Sequence, residues 1–448
     1  MILAARYVLP ISREHIENGA VLVRDGLIVE VGKRAEVVER HPDEEVIDYG
    51  LAAIAPGFVD AHTHLAYTVL RGLVDDLPYV RWKYEIMQRE HLLAYSDWHD
   101  SALLGACEAL ACGITTVADI TRTGASLRAV CESGLRGVVY REVETMEKPL
   151  VDGVMERAVN DIAAWEDAVD PTMIEIGISP HSTYACHPLL FQRIAEYAAD
   201  GRPVAMHLAG SIEEYRFVKM GSTMLGFEIR SKYDDAAPMW LPTGVSPVRY
   251  VHQWEIMNVP RFTAIHTTQV DDDDIAILAE QQVSLATCSR CNAKLAMGTI
   301  PLMKMLSAGL DVGLGTDSPA ATNTIGMFEE MRTGLLMQRA AVQSEHFFTA
   351  ADFLYLATLG SARALGIDER VGSLDPGKSA DIAVVDLRRS FAAPTWQPES
   401  AFVHTGSRAD VRLTMVGGKV LFQDGSWTCA DEERIRARNE EIRAKLRV

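Results

Sequence analysis

The chain has 448 residues, 48% of them hydrophobic, enough for one large barrel with a smaller domain or for two ordinary domains. Its 62 Asp and Glu outnumber 43 Lys and Arg, and the formal net charge of -19 argues against nonspecific attraction to nucleic acid or to an anionic membrane. Seven cysteines, an odd number scattered through apolar segments, speak against a secreted disulfide framework. Met1 to Pro10 has no basic stretch ahead of its short apolar run, and no later run is long enough for a bilayer, so the expected location is cytoplasmic with no membrane partner.

Residues 1–55 read as short strands with tight turns. Gly19 to Arg24 and Leu27 to Gly32 flank Asp25-Gly26, a hairpin signal because a two-residue turn of this kind needs positive φ at both positions. Gly372 to Gly377, Ala380 to Asp386 and Leu413 to Phe422 have the same texture at the far end. The two ends therefore predict a composite β-sandwich domain built from 1–55 and 368–448. Asp431 to Arg447 is charged and reads as a solvated surface helix.

Between them, 56–367 alternates short apolar runs with longer helical ones, the pattern of a parallel sheet with outer helices. Eight runs can be counted. They end near His64, Asp119, Arg141, His181, His207, His266, Cys288 and Asp317, and they predict an α/β class (β/α)8 TIM barrel. The stretch from Met220 to Tyr250, rich in Pro, Gly and aromatics, reads as a loop over the site.

His62 and His64 are two apart on an extended backbone, so both imidazoles project to one side and can reach one ion. Alone, such a pair is ordinary surface chemistry. His181, His207, His266 and Asp317, however, also stand at the C-terminal edge of a predicted strand, where barrel enzymes carry their catalytic groups. Imidazoles with a carboxylate suit a divalent metal, zinc first and iron as the alternative, and water on such an ion loses a proton near neutral pH. The set needs no cysteine and leaves a position open for water, which makes it catalytic rather than structural.

Several motifs together carry a family resemblance: Pro56-Gly57-Phe58-Val59-Asp60-Ala61-His62-Thr63-His64-Leu65, Ser179-Pro180-His181-Ser182-Thr183-Tyr184, His207-Leu208-Ala209, Asn292-Ala293-Lys294-Leu295, Gly313-Leu314-Gly315-Thr316-Asp317-Ser318-Pro319 and Phe328-Glu329-Glu330-Met331-Arg332. Over nearly its whole length the chain resembles the amidohydrolase superfamily. Within it, the likeness is to aminohydrolases of nucleosides and related heterocycles: S-adenosylhomocysteine, adenosine and aminodeoxyfutalosine deaminases, with the triazine hydrolases nearby. Arg71-Gly72, Asp75-Asp76-Leu77-Pro78, Trp82 and His187-Pro188 lean towards the aminodeoxyfutalosine group.

The resemblance implies one divalent metal held by His62, His64, His207 and Asp317. Asp317 would also take the proton of the attacking water, with His266 as assisting base or extra ligand and His181 against the substrate. Trp82 and Ser318 are further candidate substrate contacts, and Glu85, Glu90, Arg141 and Glu142 are candidate contacts for a sugar or carboxylate tail on position alone. No lysine stands on the fourth strand, which favours one metal over a bridged pair. The implied reaction is attack of metal-bound hydroxide on an amino-bearing ring carbon with loss of ammonia from a small-molecule substrate, and the family's habit makes a homo-oligomer the expected assembly.

Two departures stand at the active-site end. Relatives usually carry Glu three residues after the fifth-strand histidine as proton shuttle, and here that residue is Gly210; Glu213 and Glu214 follow closely, with Glu213 the candidate replacement. Where relatives often read His-Cys-Pro-x-Ser-Asn, this chain has Thr287-Cys288-Ser289-Arg290-Cys291-Asn292. Cys288-x-x-Cys291 without a second cysteine pair is read as packing rather than redox or metal chemistry. Gly210 keeps two alternatives to a deaminase open: a hydrolase of the same fold that releases a substituted amine, halide or amide, and a binding protein without turnover.

Overall fold

The structure, a computed structural model, describes residues 1–221, 223–226, 240–388 and 392–447. Five strands come first: β1 (Ile2–Val8), β2 (Ile16–Arg24), β3 (Leu27–Lys33), β4 (Val46–Asp48) and β5 (Ala52–Pro56). Asp25 and Gly26, at φ of 52° and 78°, form the two-residue turn between β2 and β3, as the Asp-Gly pair predicts.

The next eight strands are β6 (Phe58–Thr63), β7 (Ile114–Thr121), β8 (Arg136–Val143), β9 (Ile174–Pro180), β10 (Val204–Leu208), β11 (Phe262–His266), β12 (Ser284–Thr287) and β13 (Val312–Leu314). They pair in sequence order, all parallel. β6 and β7 are buried along their whole length, which is why they read as continuous apolar runs and not as an alternation. The two end strands meet through a parallel bridge between Thr63 and Asp317, where Asp317 N donates to His62 O at 2.9 Å. That closes the barrel.

Four strands end the chain: β14 (Ile382–Asp386), β15 (Val411–Val416), β16 (Lys419–Gln423) and β17 (Ser426–Trp427). They join the first five in one sheet of order β17-β16-β15-β14-β5-β1-β2-β3, with β4 beside β1. The sheet folds back on itself. Its β2–β3 and β15–β16 turns touch, since a Cβ on Gly26 would lie 2.8 Å from Gly417 O, and Leu27 bridges Ser379. Leu3, Val21, Ile28, Ile54, Ile382 and Leu413 belong to the apolar cluster it encloses. A layered core thus arises within a single continuous ladder.

Sheet and barrel are joined by a buried ion pair. Arg136, at the start of β8, donates from Nε to Asp381 Oδ2 at 2.8 Å and from Nη2 to Oδ1 at 3.2 Å. Asp381 Oδ1 also accepts from Gly417 N at 2.8 Å and from Ser379 Oγ at 2.6 Å, so the carboxylate's capacity is used inside the protein.

The C-terminal helix, Glu432–Lys445, is more than a solvated surface helix. It buries Ile435, Asn439 and Ile442 and lies against the helix Tyr95–Ala111, with Lys445 Nζ 2.6 Å from Asp97 Oδ1 and Arg438 Nε 3.0 Å from Asp100 Oδ2. Its high charge hid a narrow apolar stripe of the kind that suffices for docking. No helix among the described residues is long and apolar enough to cross a membrane.

Candidate metal centre

Five side chains converge at the C-terminal mouth of the barrel. The Nε2 atoms of His64 and His207 are 3.3 Å apart, Asp317 Oδ1 is 3.5 Å from His62 Nε2, and Asp317 Oδ2 is 3.8 Å from His266 Nε2. Ligand atoms of His62, His64 and Asp317 lie within 4.8 Å of one another, as do those of His62, His207 and His266. His62 Nε2 is buried without a hydrogen-bond partner among the described residues, an orphan that an ion at this point satisfies.

The outer atoms of the rings fix which nitrogen faces inward. His207 Nδ1 donates to the main-chain oxygen of His181 at 2.8 Å, and His266 Nδ1 donates to Asn292 Oδ1 at 3.0 Å. Each therefore turns an Nε2 lone pair to the centre, the arrangement metal-ligating histidines adopt. Burial and neighbouring imidazoles push His64 down to about 4, and burial lowers His266 to about 4 as well, so the rings stand neutral and able to coordinate. Burial disfavours the Asp317 carboxylate, yet the imidazoles of His62, His266 and His64 hold its pKa well below the usual range. A dense cluster of imidazoles around one carboxylate fits a divalent cation.

Backbone strain collects at the same place. Ala209, His266, Thr267 and Asp317 all have positive φ, at 51°, 72°, 46° and 60°. Such conformations in non-glycine residues persist where the surroundings over-determine them. Asp60 is part of that support. It accepts from Thr316 N at 2.8 Å and Thr316 Oγ1 at 2.5 Å, and complete burial raises it to about 6.

Gly315 shows how closely β13 approaches β6: a Cβ there would lie 2.8 Å from His62 Cβ and 2.9 Å from His62 N. Gly315→Ala is accordingly expected to displace His62, cost about 1–3 kcal/mol through overpacking, and lower the metal bound per chain. Metal analysis beside a thermal melt checks this, and full metal content at unchanged stability would contradict it.

The centre opens into a cleft. Tyr67, Tyr79, Trp82, Tyr184, Met87 and Met297 give it broad apolar and aromatic walls. His181 stands at its edge, with Nδ1 2.6 Å from Glu142 Oε1 and Nε2 3.0 Å from Lys83 Nζ. Lys83 Nζ also donates to Tyr184 Oη at 2.8 Å. An ammonium only donates, so His181 Nε2 accepts from it and Nδ1–H goes to Glu142. Arg122 Nε donates to Glu142 Oε2 at 2.6 Å, and together with His181 it holds that carboxylate well below its usual range against the opposing effect of burial.

Of the residues singled out from the sequence, the structure brings His62, His64, His207, His266 and Asp317 together and places His181, Trp82, Ser318, Glu90 and Glu142 on the cleft wall. It does not bring Arg141, Glu85 or Glu213 there. Arg141 alternates with Glu142 along β8, points outward, and binds Asp161 at 2.8 Å on the helix Val151–Ala168. Glu85 pairs with Arg89 one helical turn on. Glu213 is half-buried in the first turn of the helix Ile212–Met220 and does not line the cleft, while its neighbour Glu214 is buried. Glu214 accepts from Gly210 N at 2.8 Å and Thr183 Oγ1 at 2.7 Å, and burial raises its pKa.

His187 caps the helix Pro188–Tyr197, accepting from Leu189 N at 3.2 Å, which accounts for the His-Pro pair structurally. Lys83 and Arg122 were missed: Lys83 lies in the helix Tyr79–Glu90, and Arg122 lies just past the end of β7, beyond Asp119, near which the sequence places the end of that run. Of the expected covering loop, 222 and 227–239 lie outside the described residues; Leu225 lines the cleft, and Trp240 packs on Phe217 at 4.9 Å between ring centroids.

Residues 53–421 match the amidohydrolase family, and 19–43 match the bacterial imidazolonepropionase-like composite domain. The chain is 32% identical over 437 residues to the 5-methylthioadenosine/S-adenosylhomocysteine deaminase of Moorella thermoacetica, covering 96% of both. It is 33% identical over 424 residues to the enzyme of the same name from Nitratidesulfovibrio vulgaris, covering 94% of this chain and 90% of that one. Among solved structures, an adenosine deaminase from Xanthomonas campestris with bound zinc superposes with a TM-score of 0.87 at 28% identity, covering 100% of this chain and 98% of that one. With the barrel, the composite sheet and a match across most of its length, the chain belongs to the amidohydrolase family.

Proposed function

We propose that the protein is a metal-dependent hydrolytic deaminase of an aminopurine nucleoside or related amino-heterocycle. The observation that carries this is the convergence of four inward-facing imidazoles and Asp317 beneath an aromatic cleft, in a chain whose full-length relatives are nucleoside deaminases. His62, His64, His207 and Asp317 would hold the metal, with zinc the first choice for a set of imidazole and carboxylate ligands. Such an ion supplies Lewis acidity and makes the water it binds acidic near neutral pH.

The chain's own residues do the rest. Asp317, held as a carboxylate among the histidines, accepts the proton of the attacking water. His266, whose Nε2 lone pair stands 3.8 Å from Asp317 Oδ2, is placed to take up that proton in turn. Flat aromatic walls orient a ring, and His181 with Lys83 sets the polar edge that the ring meets. Gly210 itself moves no proton. The donor to the ring nitrogen and leaving amine must then come from another group on the cleft wall.

Metal-loaded protein is expected to release ammonia from at least one of 5-methylthioadenosine, S-adenosylhomocysteine and adenosine. Chelation should abolish this release and zinc restore it. Silence across a broad aminopurine panel in fully loaded protein would end the reading. Gly210 favours one second reading: a better leaving group, such as a halide or a substituted amine, needs less protonation on departure. Product analysis separates the two, because that chemistry releases no ammonia.

A further inference from the structure

We propose that His266, Cys288 and Asp317 form a second metal position, for a thiophilic divalent cation, which shares Asp317 with the first. This goes beyond the deaminase reading and does not depend on the substrate. The three residues are buried, and their ligand atoms lie within 4.8 Å of one another. Asp317 is disposed to bridge, with Oδ1 towards His62 at 3.5 Å and Oδ2 towards His266 at 3.8 Å. His266 keeps its Nε2 lone pair inward because Nδ1 is held by Asn292.

Cys288 completes the set from between β12 and the helix Ser289–Lys294. It lies beside the Asp317 carboxylate, whose negative charge favours a cation there. Burial and that charge push its thiol well above the usual range, so the ion binds by displacing the thiol proton. A comparable cluster of Glu142, His181 and His207 also brings its ligand atoms within 4.8 Å, but there Lys83 Nζ stands 3.0 Å from His181 and repels an added cation. The cysteine pair suggested by Cys288-x-x-Cys291 thus has the wrong members. The partners of Cys288 are a histidine and an aspartate from the neighbouring strand ends, while Cys291 faces the cleft and hydrogen-bonds Asp317.

Binding involves no redox step: the divalent ion forms a bond to the Cys288 sulfur as the thiol proton leaves to water, and His266 and Asp317 donate lone pairs. Occupation takes Asp317 and His266 out of proton transfer. The second equivalent is therefore inhibitory, whereas the first supports turnover.

Cadmium is the probe, because its bond to a thiolate gives an ultraviolet charge-transfer band that imidazole and carboxylate ligands lack. The titration is run in a Cys131→Ser background, since Cys131 is an exposed thiol. The expected result is two tightly held cadmium ions per chain, with the band growing only as the second binds. Added Cys288→Ser should leave one ion and no band, whereas added Cys291→Ser should keep both. Saturation at one ion, a second ion without the band, or a band that survives Cys288→Ser would overturn the proposal. The background protein decides the first two outcomes without Cys288→Ser, so poor folding of that variant leaves the test intact. In protein that turns over, the rate should fall by about a hundredfold as the second ion binds, a loss within the range that acid–base groups supply; an unchanged rate would overturn the inhibitory role. Metal counting needs no substrate, so failure here and failure of the deaminase reading are told apart.

Discussion

Asp317→Asn is expected to reduce ammonia release by roughly 10²–10⁴-fold, the span that a positioned acid–base group contributes. The amide keeps the volume of the carboxylate but loses the charge that sits between His62 and His266, and it turns one acceptor into a donor. A donor aimed at an inward lone pair of either ring also competes with the metal for that lone pair. Turnover and metal content should be measured together, with circular dichroism to confirm the fold. If the variant holds its metal and works at nearly the parent rate, the base lies elsewhere and the proton path must be redrawn. If metal and rate fall in step, Asp317 acts chiefly as a ligand.

Asp381→Ala is expected to destabilise the protein by about 3–5 kcal/mol, because it leaves the Arg136 guanidinium buried and uncompensated. The loss should exceed that of any surface pair in the chain, since exposed ion pairs are worth about 1 kcal/mol or less. Replacing both partners by apolar residues, as in Arg136→Leu with Asp381→Leu, should recover a large part of it, though Ser379 Oγ and Gly417 N would still lose an acceptor. Urea denaturation of the single and double variants checks this. A single variant within about 1 kcal/mol of the parent would mean that water reaches Arg136 once the carboxylate is gone.

The parts of this molecule legible in the sequence are those written by local periodicity. Asp25-Gly26 dictated its turn, and buried parallel strands announced themselves as short apolar runs with a polar residue at the downstream end. That edge rule found His62, His64, His181, His207, His266 and Asp317. It misplaced Arg141 because Arg141 and Glu142 are adjacent on β8, and strand alternation lets one of them face the barrel mouth while the other turns to the outer helices. Lys83 could not be found this way. It sits in the helix Tyr79–Glu90, outside the barrel ladder, and reaches His181 across 98 positions of sequence. Glu213 and Glu214 differ only in which face of one helix they occupy, and the packing of Thr183 against that helix decides it.

The bridge between Thr63 and Asp317 joins residues 254 positions apart, and three of the four proposed ligands lie beside it: His62, His64 and Asp317. An ion held by them acts as a rivet across the seam where the first and last staves of the barrel meet. Closing so long a loop carries an entropic penalty that local contacts do not offset until late in folding. Metal should therefore be bound as the seam shuts, and the apoprotein should open there first. Hydrogen exchange at the β6 and β13 amides should then respond to chelation far more than exchange at β8, which is paired on both sides.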